Sequence, residues 1–196
     1  ATIAGARSAS VPVEPAADLP TALAAAIADP GGRIERCTGE GIDALEPWLV
    51  AQPAVGAALL LDDPRPLAGT ALALAVAGSD GRTVAAEGPV DAARLQTLLD
   101  RVGTPLVAHE VKPLLVARFA RDAAAEPTPI AFDTQVAAYL LNASLRSQTI
   151  ADVVAEQLDL ILPPGAELPP FARAGLEALS AIAAREPLAA ALAREG

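Results

Sequence analysis

At 196 residues the chain is long enough for one domain, or one domain with a short extension, and for a substantial buried core. Hydrophobic residues make up 53% of it, but much of that is alanine and only 3% is aromatic, so small and branched aliphatics with few large anchors are expected inside. A formal charge of −10, with Lys112 the one lysine among 14 scattered cationic residues, argues against tight phosphate-backbone binding by this domain alone.

The single cysteine, Cys37, excludes an intrachain disulfide and a cysteine-rich zinc site, and it fits a reducing, cytoplasmic setting. No catalytic partner lies near it in sequence, so it reads as a small strand or core residue. The longest apolar stretches, GAALLL and LAGTALALAVAG, fall well short of the roughly 20 residues of a membrane-spanning helix. No basic, apolar, small-residue signal pattern opens the chain. Methionine is absent even at the first position, and the chain is read as an excised piece of a longer protein.

Residues 1–33, rich in Ala, Pro and Ser, read as an interdomain linker or flexible N-terminal segment with one short helix at PTALAAAIA. The DPGG turn announces the folded part, residues 34–196. RIERC is a short strand, and GIDALEPWLVAQ places Ile42, Leu45, Trp48 and Leu49 at helical spacing. VGAALLLDD is a buried strand ending at Asp62 and Asp63, after which Pro64 and Pro66 break regular structure because each lacks a backbone donor. TALALAVAG and RTVAAEG form two strands joined by the GSDG turn.

The next segment, GPVDAARLQTLLDRVG, is a helix capped by Asp91 with Leu95, Leu98 and Leu99 inward. PLVAH is a brief strand and EVKPLLVARFARDA a helix with its proline near the first turn. PIAFDTQVAAYLLNAS is a strand tip running into a helix, with Asp133 capping free amides near Val136. TIADVVAEQL is amphipathic, LPPGAELPP a loop, and FARAGLEALSAIAAREPLAAALAREG a closing helix broken or kinked near Pro187. A strand meander followed by helix, strand and more helices describes an α/β fold, a mixed β-sheet flanked by helices.

Two segments carry a resemblance to a known family. IAFDTQVAAYLLNASLRSQTIADVVAEQL resembles the Phe-Asp-Thr, aliphatic run, Tyr-x-Leu-Asn-Pro pattern, with Ala143 in place of its proline, and following Leu-rich helix of the 3'-to-5' exonuclease domain of bacterial family A DNA polymerases (DNA polymerase I). PLVAHEVKPLLVARFA is similar to that family's strand-to-helix segment. The resemblance implies a ribonuclease-H-like exonuclease fold over residues 34–196, preceded by a link from a 5' nuclease domain and followed by a polymerase domain.

Active members hold two divalent metals with four carboxylates, helped by a tyrosine that orients the attacking water. Carried over residue by residue, the strand-borne Asp-x-Glu pair falls on Leu61 and Asp63, the aspartate after the lysine on Leu114, and the closing Tyr-x-x-x-Asp motif on Ile182 and Glu186. A leucine cannot bind a hard cation that requires oxygen. The resemblance therefore implies a catalytically degenerate domain with no catalytic or metal-binding residue and no cofactor of its own. Mg²⁺ is expected only in the polymerase domain outside this chain.

His109 reads as a hydrogen-bonded structural residue, and with Lys112 it is a position of possible residual DNA contact. Arg146 and Ser147 are candidates for contact with a neighbouring domain. The expected partners are the adjoining polymerase and 5' nuclease domains, with DNA reached through the parent polymerase and no membrane. The rival reading is an active metal-dependent exonuclease using Asp62, Asp63 and Glu186, with Glu110 or Asp133 in the missing places. A free-standing protein-binding module is a third. No Walker-type phosphate loop occurs, and one histidine with no nucleophile elbow offers no Ser-His-Asp order.

Overall fold

The alternation along TALALAVAG decides the architecture. In the computed structural model, which describes residues 18–63, 65, 68–121, 128–143 and 148–195, Ala73, Ala75 and Ala77 of strand β3 (Ala71–Gly78) pack into one core, and Leu74 and Val76 into another on the opposite face. Successive side chains of a strand point to opposite sides, so a strand apolar at every position must be covered twice.

Six strands form one sheet in the order β1-β4-β3-β2-β5-β6: β1 is Ile34–Arg36, β2 Val55–Leu61, β4 Thr83–Glu87, β5 Leu106–Ala108 and β6 Ile130–Asp133. The β2-β3-β4 meander is antiparallel, whereas β1 runs parallel to β4 and β5 parallel to both β2 and β6. The α/β reading with a mixed, helix-flanked sheet therefore holds.

One face is covered by α1 (Leu19–Ala28), α7 (Thr134–Leu141), α8 (Ile150–Leu158) and α9 (Pro170–Glu195). The other is covered by α3 (Glu40–Asp43), α4 (Glu46–Ala51), α5 (Pro89–Val102) and α6 (Lys112–Arg121). A single turn, α2 (Pro30–Arg33), leads into β1. Helix α9 crosses the sheet at van der Waals range. A Cβ on Gly56 of β2 would lie 2.1 Å from the carbonyl oxygen of Ala178, and one on Gly175 2.6 Å from the Ile34 side chain.

Four features differ from the sequence reading. Residues 19–33 belong to the packed body: Leu23 of α1 is 0% exposed and joins the core beneath α9. The helix expected over residues 41–52 is two short ones, because Pro47 has no N–H to offer the carbonyl of Asp43. Asp91 does not cap α5. Pro89 sets the helix start, Gly88 takes the cap position, and the Asp91 Oδ1 instead accepts from the Gly39 amide at 3.0 Å. Helix α9 continues through Pro187, forgoing the bond that the proline nitrogen cannot give. The loop LPPGAELPP contains only a single 3-10 turn, Gly165–Glu167.

Candidate functional site

The C-terminal ends of β2, β5 and β6 lie on the same side of the sheet, and the chain leaves β5 into α6 and β6 into α7. Asp133 ends β6 and organises this edge: its Oδ1 accepts from the amides of Gln135 and Val136 at 2.9 and 3.1 Å, and its Oδ2 from the amide of Val111 at 3.0 Å. Both oxygens are thus spent on backbone donors at the mouths of two helices, the capping role expected of it.

His109 follows β5. Its Nε2 lies 3.0 Å from the Gln148 carbonyl, which can only accept, so Nε2 carries the proton. Nδ1 lies 3.0 Å from the Thr134 hydroxyl, which donates to it when the ring is neutral. Burial is the leading influence on the ring and pushes its pKa below the ordinary 6.5. The Gln148 carbonyl and the charges of Asp133, Glu177 and Glu110 pull the other way. Both ring nitrogens are engaged inside the protein. Lys112, at the first position of α6, is exposed. Between them Glu110 holds a φ of 63°, a left-handed conformation that costs a side-chain-bearing residue about 1 kcal/mol.

Residues Leu59 and Leu61, two apart on β2, line a cleft of about 380 Å³ beside α5 and α6, together with Glu110, Lys112 and Pro113. Asp63 has left the strand and turns to Arg65, whose amide donates to it at 2.9 Å and whose guanidinium pairs with it, holding its carboxyl below the usual range. Asp62 points elsewhere and accepts from the Thr70 amide at 2.6 Å. The same-face pair on this strand is therefore Leu59 and Leu61, both hydrocarbon, and Asp63 is not part of it. Leu114 is 2% exposed, packed in the core under α6.

On α9 the expected pair is separated from this edge. Ile182 is 5% exposed and faces Gly56, five residues upstream of Leu61 along β2, each residue advancing about 3.3 Å. Glu186 is exposed one turn later. The α9 carboxylate whose charge reaches His109 is Glu177, which accepts from Arg173 Nε at 2.9 Å. The sequence reading missed it. The signal was present, since Arg173 and Glu177 have the same four-residue spacing as Ile182 and Glu186. Arg146 and Ser147 lie outside the described residues.

Leu59, Leu61 and Leu114 offer no oxygen, Asp133 and Asp63 are committed to amides and to Arg65, and the described residues contain no group of three or more His, Cys, Asp or Glu side chains able to hold a metal.

Solved structures with the same arrangement include the POL domain of Pol1 from M. smegmatis in complex with DNA primer-template and dNTP, at 23% identity and a TM-score of 0.65, covering 83% of this chain and 28% of that one. Escherichia coli RNase D, an exoribonuclease involved in structured RNA processing, matches at 15% identity and a TM-score of 0.63, covering 83% of this chain and 45% of that one. The Aedes aegypti Nibbler EXO domain matches at 12% identity and 0.61, covering 84% and 91%. This is the ribonuclease-H-like 3'-5' exonuclease fold. The chain spans 28% of the length of the Pol1 structure it matches. No protein-family model and no curated protein matches the sequence. Within the exonuclease fold, the strand-end cleft of this chain is walled by aliphatic side chains on β2 and α6.

Proposed function

We propose that the chain is a non-catalytic 3'-5' exonuclease-like domain of a family A DNA polymerase, a structural scaffold beside the polymerase domain in DNA replication and repair. One observation supports this reading: the cleft-facing positions of β2 are Leu59 and Leu61, and Leu114, which the resemblance aligns with a metal-binding aspartate, is buried in the core under α6; none of the three offers the anionic oxygen that a two-metal site requires. The family resemblance of the β5-α6 and β6-α7-α8 segments and the likeness to the Pol1 structure supply the polymerase context. In this reading the adjoining polymerase and 5' nuclease domains are the partners. DNA is engaged through the parent polymerase, whose own Mg²⁺ does the chemistry in the cytoplasm, and His109 and Lys112 make at most residual contact with it.

The test is excision of 3' nucleotides from single-stranded DNA by the parent protein with Mg²⁺ or Mn²⁺. No release above background is expected, and Asp63→Ala and Glu177→Ala should leave the trace unchanged. Metal-dependent release abolished by either variant would overturn the proposal in favour of an active exonuclease with a rearranged carboxylate site.

A further inference from the structure

The same cleft is more than a place where metal ligands are missing. Its floor is Leu59, Leu61 and Ala71 of the sheet, and its walls are the small apolar faces of α5 and α6, among them Ala92 and Ala117. At about 380 Å³ it lies within the range of pockets that enclose small organic molecules, and it has the usual composition of such pockets: mostly apolar with a few polar groups. The charged ones are Arg65, Glu110 and Lys112, all exposed, and Gln96 is a fourth polar side chain, buried in the lining. Arg65 is already paired with Asp63, which leaves the chain's one lysine, exposed on the first turn of α6, to meet a ligand.

We propose that this cavity is a binding site for a small amphipathic anion, an apolar body seated on Leu59 and Leu61 with a single negative group at Lys112. The apolar lining selects the body, because a polar one would exchange water for a wall whose one uncharged polar side chain is Gln96. A polyanion is disfavoured: Glu110 shares the rim with Lys112, so only one negative charge is matched. The inference rests on the lining residues and not on the polymerase reading.

The test is titration of the full-length parent protein with 1-anilinonaphthalene-8-sulfonate in EDTA, followed by fluorescence. Saturation at one dye per site is expected. Lys112→Glu should weaken binding at least threefold without moving the affinity of the uncharged N-phenyl-1-naphthylamine, and Ala117→Phe, which fills the cavity, should abolish both. Because Ala117→Phe also stresses the α6 packing, Lys112→Glu on an exposed side chain is the deciding variant. No saturable binding, or indifference to Lys112→Glu, would overturn the site. So would loss of binding in Leu140→Ser, which alters the exposed face of α7 instead. Metal-dependent 3' excision would sink the non-catalytic reading and leave this titration, run without metal, still able to succeed or fail.

Discussion

His109 and Glu110, neighbours at the end of β5, are placed under opposite constraints. His109 is held neutral by burial, so its folded-state pKa lies below the ordinary 6.5 of the unfolded chain. A base depressed in this way contributes stability that is complete above pH 6.5 and is lost as the pH falls through its folded value, because the unfolded state takes up the proton first. Chemical denaturation from pH 7.5 to 5 should therefore show a loss of stability that is smaller in His109→Gln, and equal slopes for the two proteins would contradict the assignment. Glu110 has the reverse problem, a side chain on a backbone that prefers none. Glu110→Gly should raise stability by about 0.5–1 kcal/mol, read as a higher denaturation midpoint.

The residue scale also marks what could be read in advance. Asp133 was legible because a cap is a local device: an acid directly before an apolar helix has little else to do. Leu59 was not, because the end of β2 is set by where its partner strand bulges, between the pairs Leu60↔Ala73 and Leu61↔Ala71, and a shift of two residues along an all-apolar strand leaves no trace in its pattern. Glu177 was missed for a related reason. Two i, i+4 pairs on one helix look alike until the crossing of α9 over the sheet selects one of them.

Among the elements, α8 shows how much local chemistry alone can hold. Thr149 and Asp152 form a complete capping box, with Thr149 Oγ1 accepting from the Asp152 amide at 3.3 Å and Asp152 Oδ2 accepting from the Thr149 amide at 2.8 Å. Thr149→Ala should cost about 1 kcal/mol, measured by urea unfolding. The α5-α6 pair depends instead on a partly sheltered ion pair: Arg118, 5% exposed, lies 3.2 Å from Asp100 through Nε and donates to Thr128 Oγ1 at 2.9 Å through a second nitrogen. Asp100→Ala strands the arginine away from water and should cost about 3 kcal/mol, more than most surface changes. Neither this pair nor the burial of α1 could be inferred from periodicity, since both depend on what packs above the element. The split at Pro47 could have been, from the missing amide alone.

For the molecule as a whole, the two-sided covering of the sheet makes α1 part of one cooperative unit. Leu23→Ala should lower stability by about 3 kcal/mol with the denaturant slope unchanged, whereas a linker residue would show almost nothing. Calorimetric titration with Mg²⁺ or Mn²⁺ at millimolar concentration should show no saturable two-ion site in this domain. Two ordered cations bound by three or more of its acids would contradict the proposed function.

The close seating of α9 on Gly56 bears on how the protein is made. Every strand from β1 to β5 is synthesised before the helix that shields their shared side, so a nascent chain carries an uncovered apolar surface until α9 has emerged as far as Leu188, the last of its buried residues. Translation pauses or truncations before Leu188 would then expose far more sticky surface than their length suggests, and chaperone capture should concentrate there.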